Sequence, residues 1–255
     1  MDILTNKAKG ILTIEFNRPE KKNAITTQMY QMMADAIKDA ESDTAVRAIV
    51  IQGKPEVFTA GNDLEDFLKN TAAEIGDRPV AQFMRALSGA SKPVVAAVAG
   101  NAVGIGTTLL MHCDLVYAAD NAKFAMPFTQ LGLCPEFASS MLFPQMVGYP
   151  RAAEKLLLGE AFSAQDAYDM GLVSRVVPVA ELADFAHAQA ATLAALPASS
   201  LRTTKRLMKG AQAEAINARM MEENKHFGEM LMSKEAKEAF TAFFEKRRPD
   251  FTKFV

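Results

Sequence analysis

The sequence predicts an α/β core followed by a helical C-terminal region. Three observations carry this. Residues 46–52 and 93–99 are nearly continuous apolar runs, the pattern of strands buried on both faces. Each run leads through a turn into a segment of helical period. From Ser139 onward the signals are mostly helical.

The elements follow in order. Residues 11–17 alternate, with Leu12, Ile14 and Phe16 on one face and Thr13 and Glu15 on the other, which predicts a half-buried strand. Residues 17–23 form a polar break. Thr26 or Thr27 then caps a helix to about Ser42, with Met29, Met32, Met33, Ile37 and Ala40 near helical spacing. Residues 58–64 read as a loop that opens into a polar helical stretch to about Asn70. The polar segment 69–80, with Gly76 and Pro79, suits a lid. A helix is expected over 80–90, the apolar strand over 93–99, a glycine-rich turn over 100–106 and a helix over 107–112. Strands at 114–118 and 123–125 follow. Helices are expected over 139–147, 150–158, 163–169, 179–195, 198–209 and 213–245. The expected division is a core, residues 1–195, and a helical region, residues 196–255.

With 255 residues the chain suits one large domain or a core with a small appendage. Hydrophobic residues make up 49% and charged residues 23%, the balance of a folded rather than a disordered chain. A net charge of -2 gives no reason to expect nucleic acid or an anionic membrane as partner. Cys113 and Cys134 form neither a CxxC pair nor a cluster with histidine, so no metal site is expected, and two cysteines fit a reducing compartment. The first residues lack a secretory pattern. The longest apolar run, residues 93–110, is broken by Gly100, Asn101, Gly104 and Gly106. Residues 252–255 are not a peroxisomal address. The expected location is cytoplasmic.

Three features bear on chemistry. Glu136 is a lone carboxylate within residues 131–144, an otherwise apolar stretch with no neighbouring cation. Two readings compete: a loop carboxylate facing water, or a desolvated one with a raised pKa, suited to general-base work near neutrality. Gly104-Ile105-Gly106 lies between a buried strand and a helix. It is either a tight packing turn or a place where unpaired amides meet a developing negative charge. Leu109 occupies the place of a third glycine, which argues against a dinucleotide fingerprint, and no Gly-Lys-Ser/Thr of a P-loop follows. Thr59-Ala60-Gly61-Asn62-Asp63 is a second turn that opens a helix, with Asp63 as its cap. Two such turns, each aiming one amide, would make a two-donor oxyanion hole. His112 reads as a satisfied core histidine. Ser139 and Ser140 read as helix caps, since no GxSxG elbow contains them.

Asn17-Arg18-Pro19 with Asn23-Ala24, residues 58–64, 92–106, 113–115, 124–127, 159–164 and 171–173 together resemble the enoyl-CoA hydratase/isomerase (crotonase) superfamily over essentially the whole chain. The resemblance implies a ββα spiral core with a helical C-terminal trimerisation region, and a homotrimer or dimer of trimers. It implies an acyl-CoA substrate whose thioester oxygen is held by the amides of Ala60 and Ile105. No cofactor is implied beyond the coenzyme A of the substrate. Hydratases of this family carry two glutamates, at the positions of Thr108 and Phe128 here, and both are missing. Pro135-Glu136-Phe137-Ala138-Ser139-Ser140 resembles instead the Δ3,Δ2-enoyl-CoA isomerase branch, in which one glutamate shuttles the proton. The reaction implied is 3-enoyl-CoA to trans-2-enoyl-CoA, with Glu136 as acid and base and Phe128 helping to keep the site dry. Hydration, thioester hydrolysis, dehalogenation and non-catalytic acyl-CoA binding are the alternatives. For coenzyme A, the resemblance points to backbone around Ala60, Asn62 and Leu64, near Asp63 and the close approach at Gly104. It points also to Lys21 or Lys22 for phosphate, and to Phe227 and Lys246 reaching a neighbouring subunit's ligand.

Overall fold

The computed structural model describes residues 1–69 and 78–254. In chain order it runs β1 (Ile3–Ala8), β2 (Ile11–Phe16), α1 (Thr27–Ser42), β3 (Ala48–Gln52), β4 (Val57–Thr59), α2 (Leu64–Lys69) and α3 (Pro79–Ser88). Next come β5 (Val94–Val98), β6 (Asn101–Val103), α4 (Ile105–Thr108), β7 (Leu115–Ala119), β8 (Lys123–Ala125), α5 (Ser139–Val147) and α6 (Tyr149–Leu158). The remainder is β9 (Phe162–Ser163), α7 (Ala164–Asp169), β10 (Arg175–Val177), α8 (Leu182–Ala195), α9 (Ala198–Lys209), α10 (Ala213–Leu231) and α11 (Lys234–Phe244).

The strands divide between two sheets, ordered β1-β2-β3-β5-β7-β10 and β4-β6-β8-β9. Each turn of the chain gives one strand to the large sheet, one to the small sheet, and then a helix: β3-β4-α3, β5-β6-α4, β7-β8-α5. This is the expected ββα spiral. Within the large sheet β2, β3, β5, β7 and β10 are parallel, and β1 alone pairs antiparallel.

The apolar runs have a direct cause. Alternate residues of the large sheet enter two separate cores. Ile49, Ile51, Val94, Ala96 and Val98 pack under α1 and α3, against Met29, Met33, Ile37, Phe83 and Leu87. Ala48, Val50, Val95 and Ala97 pack under α8, against Leu182, Ala186 and Ala190. A strand covered on both faces has no polar face to alternate with. Helix α1 starts where its sequence signal lies, since the Thr26 side chain accepts the Met29 N–H at 3.3 Å.

Several elements differ from expectation. The small sheet was hidden: β4 and β6 lie inside stretches read as loop and turn, and strands of two or three residues show no periodicity. Strand β1 buries only Ile3, so it lacks an apolar face. The helix expected over 213–245 breaks after Leu231, and Ser233 caps α11 by accepting the Ala236 N–H at 3.0 Å. The helix expected over 107–112 begins at Ile105 and tightens to 3-10 geometry over Leu109–His112. Most of the lid segment, residues 70–77, lies outside the described residues.

Among the described residues no helix is long and apolar enough to cross a membrane, and no group of acidic, histidine and cysteine side chains could hold a metal ion.

Candidate active site

Two turns are brought together by the pairing of β4 with β6, in which Val57 faces Asn101 and Thr59 faces Ala102. The fit is close. A Cβ at Gly106 would meet Thr59 Cγ2 at 2.5 Å, and one at Gly61 would meet the Val103 carbonyl at 2.8 Å. Gly104 adopts φ 57, ψ -119, a conformation essentially reserved to glycine, and its Cβ direction is open. That backbone turn starts α4 and leaves the Ile105 N–H without an intrahelical acceptor.

The first turn is stitched to residues 22–25. Buried Asn23 donates from Nδ2 to the carbonyls of Val57 and Phe58 at 3.1 and 3.0 Å, and Thr59 Oγ1 donates to the Asn23 carbonyl at 2.7 Å. The Ile25 N–H donates to the Gly61 carbonyl at 2.8 Å, and the Asp63 N–H to the Ile25 carbonyl at 2.9 Å. Arg18 Nη1 donates to Asp63 Oδ2 at 2.7 Å, and Asp63 Oδ1 accepts the Asp66 N–H at 3.1 Å, the capping role expected for it. Burial raises the Asp63 pKa, but its hydrogen bond to Arg18 and the others outweigh that and leave it lowered.

This stitching corrects one assignment. The Ala60 N–H donates to the Lys22 carbonyl at 3.0 Å, so it is committed within the protein. Among the described residues, no backbone or side-chain acceptor engages the N–H of Asn62 or of Ile105. The amide available in this turn is therefore two residues further on. The Asn62 side chain is fixed by the Tyr30 hydroxyl, which donates to Oδ1 at 2.5 Å.

Glu136 is buried at 5% exposure, and its Oε1 has no hydrogen-bond partner. Burial, reinforced by the charge of Glu223, pushes its pKa up to about 8. The water-facing reading is thereby excluded. The loop behind it is held under constraint. Phe137 and Ala138 both have left-handed backbones, φ 61 and 57, uncommon for residues with a Cβ. His112 Nε2 donates to the Phe137 carbonyl at 2.8 Å and its ring stacks on Phe137 at 3.9 Å. Burial drives the His112 pKa down to about 4, so the ring stays neutral. It is the satisfied core histidine that its surroundings suggested.

The serines do not cap α5 as expected. Ser139 Oγ donates back to the Glu136 carbonyl at 2.6 Å, and the buried Ser140 hydroxyl lies beside the Glu223 carboxylate rather than capping the helix. Glu223 of α10 supplies the cap, accepting the N–H groups of Ala138 at 2.5 Å and Ser140 at 2.9 Å. Sequence reasoning missed this residue, because Glu222-Glu223-Asn224-Lys225 looks like a solvated helix face.

A cavity of about 740 Å³ gathers these groups. Its wall includes Lys21, Lys22, Ala60, Asn62, Asp63, Leu64, Gly104, Ile105, Phe128, Glu136 and Phe227. Phe227 lines the cavity of its own chain, because α10 folds back over the site. Lys246 lies off the wall. Its neighbour Arg247 reaches the wall, held by Glu238 and Glu245. Thr108 is buried and is not on the wall, whereas Phe128 is.

A family model described as enoyl-CoA hydratase/isomerase matches residues 6–253. The chain belongs to the enoyl-CoA hydratase/isomerase family. It is 38% identical to rat enoyl-CoA delta isomerase 2 over 250 residues, which is 96% of this chain and 64% of the rat protein. It thus spans somewhat less than two thirds of that relative's length. It is 34% identical to Escherichia coli 1,2-epoxyphenylacetyl-CoA isomerase across 98% of both chains. The crystal structure of an enoyl-CoA hydratase/isomerase from Pseudoalteromonas atlantica superposes with a TM-score of 0.94 at 39% identity, covering 99% of this chain and all of that one. The crotonase fold is thereby established.

Proposed function

We propose that this family member isomerises 3-enoyl-CoA to trans-2-enoyl-CoA, with Glu136 as the single acid and base. The observation that carries the reading is the state of Glu136: one buried carboxyl with an unpartnered oxygen, on the same wall as the uncommitted amides of Asn62 and Ile105.

Moving the double bond requires a proton to leave C2 and one to return at C4. With its pKa near 8, Glu136 is both a competent base and a competent acid close to neutrality. Loss of the C2 proton places charge on the thioester oxygen. The Asn62 and Ile105 amides would receive that oxygen, each such donor typically contributing about 3 kcal/mol. Phe128, 4% exposed, holds apolar surface where a second carboxylate would activate water, which disfavours hydration. Lys21 and Lys22 supply positive charge on the cavity wall, suited to the phosphates of coenzyme A. The scheme uses no cofactor beyond the coenzyme A that the substrate carries. A homotrimer or dimer of trimers belongs to the same proposal. It is supported by the exposed apolar side chains of Leu207, Met208, Met221 and Met232, and light scattering in solution tests it.

Incubation with 3-hexenoyl-CoA in heavy water, followed by product mass and proton NMR, tests the reaction. The expected product is the 2-enoyl ester with no added water, and Glu136→Gln lowers the rate by about 10²–10⁴. A 3-hydroxy product would turn the assignment to hydration. Binding of CoA esters without turnover would turn it to a non-catalytic role.

A further inference from the structure

Glu223 is a second buried carboxylate, 5% exposed, and the scheme above does not use it. It lies 87 residues beyond Glu136, on a different element. Its two oxygens divide between two amides: Oε2 accepts the Ala138 N–H at 2.5 Å and Oε1 the Ser140 N–H at 2.9 Å. Ala138 and the preceding Phe137 are the two left-handed residues that turn the chain immediately after Glu136. Without an acceptor, these amides at the buried start of α5 would be left unpaired.

We propose that Glu223 is the positioning residue for Glu136: from α10 it clamps the strained backbone that aims the base into the cavity, and it places a negative charge facing the base. Its effect on the reaction rests on the isomerase reading, whereas its effect on Glu136 itself does not.

The surrounding charges are consistent with this role. Arg219, on the same helix, faces Glu223 and is paired with Glu222 at 3.0 Å. From the loop, the Cys134 thiol donates to the Glu223 backbone carbonyl at 3.7 Å, and its pKa is pushed up to about 11, so it remains uncharged. From α1, the buried Tyr30 phenol also stays neutral. Behind Phe137, His112 is neutral. Glu223 is thus the charge that the base meets. Burial leaves the Glu223 pKa raised, while the Ser140 hydroxyl, the two amides and Arg219 oppose that rise.

The test is the titration of Glu136 in protein carrying ¹³C at its glutamate carboxyls, with the resonance assigned by its absence in Glu136→Gln. In Glu223→Gln the midpoint is expected to fall by about one pH unit, and kcat on 3-hexenoyl-CoA to fall about tenfold with KM changed less than about twofold. Glu223→Asp keeps the charge but is too short to span both amides. It is expected to hold the midpoint and still to lower kcat at least about threefold. An unmoved midpoint in Glu223→Gln, whatever the rate, would reduce Glu223 to a structural cap and overturn the proposal. If that variant does not fold, an unchanged kcat in Glu223→Asp overturns the clamp. A wild-type chain inactive on 3-enoyl-CoA overturns the isomerase reading, and the carboxyl titration still decides the role of Glu223.

Discussion

Tyr30 on α1 donates its hydroxyl hydrogen to Asn62 Oδ1 at 2.5 Å, joining a residue of the core helix to a residue of the cavity wall. Tyr30 is 3% exposed and its ring packs against Phe83, so the phenol cannot swing away to water. The donor turn is anchored by backbone bonds to Ile25 on one side and by this side-chain bond on the other.

Tyr30→Phe keeps the ring and removes the bond. The expected cost is about 1 kcal/mol of stability and a fall in kcat of about tenfold with KM little changed, since a loosened donor matters most where charge develops. Steady-state kinetics beside a urea melt separates the two effects. A change confined to stability would mean that the backbone bonds alone hold the turn.

Glu136 makes stability depend on pH in a definite direction. Its carboxyl ionises near pH 4.5 in the unfolded chain and near 8 in the folded one, because burial disfavours the charge. Between those values the folded state holds the additional proton. Its contribution is intact below about pH 4.5 and is lost progressively as pH rises towards 8. Glu136→Gln removes this dependence. The variant is expected to gain stability over wild type between pH 5 and 8 while losing activity, a trade between stability and function at one side chain. Urea melts of both proteins at pH 5 and pH 8 measure it, and an equal gap at the two values would contradict it.

Gly104→Ala isolates backbone geometry from packing. The new methyl would point into open space, so the cost lies in forcing alanine to φ 57, ψ -119, about 1–3 kcal/mol. If the backbone relaxes instead, the Ile105 amide turns away from the cavity. The expected result is a rate loss of about 10²–10³ with CoA-ester binding largely kept. Full activity would show that the Ile105 amide is not needed.

Lys205 on α9 supports the large sheet rather than the site. Its buried ammonium donates to Asp114 Oδ2 at 2.6 Å and to the Lys92 carbonyl at 2.7 Å. Burial lowers its pKa, and Asp114 opposes that shift. Lys205→Ala leaves the largely buried Asp114 carboxylate with the Val94 N–H at 2.8 Å and, as its cation, Lys209 at 3.5 Å. The expected loss is about 3–5 kcal/mol, read from the denaturation midpoint. Lys205→Met is expected to lose as much despite refilling the volume, which identifies charge rather than packing as the cause.

What the sequence made legible follows from how locally each feature is determined. Glu136 stood out because a carboxylate in an apolar run is unusual wherever the run goes. Ile105 stood out because its glycines mark a turn by themselves. Asn62 did not, because the choice between it and Ala60 is made by the Lys22 carbonyl, 38 residues earlier in the chain, which takes one amide and leaves the other. Glu223 was hidden by its polar neighbours, and only tertiary packing turns it inward. The two-residue β9 and three-residue β10 are strands because β8 and β7 lie beside them, not because of their own pattern.

The fold-back of α10 and α11 has a consequence for the order in which the cavity is assembled. A ribosome has emitted both donor turns and Glu136 once residue 136 is out, little more than halfway along the chain. Yet Phe227, Phe240 and Phe243, which roof the cavity, and Glu223, which caps the turn after Glu136, arrive only with α10 and α11. A chain that has not yet added α10 and α11 therefore carries Glu136 and the two turns in a cleft without its roof or its cap.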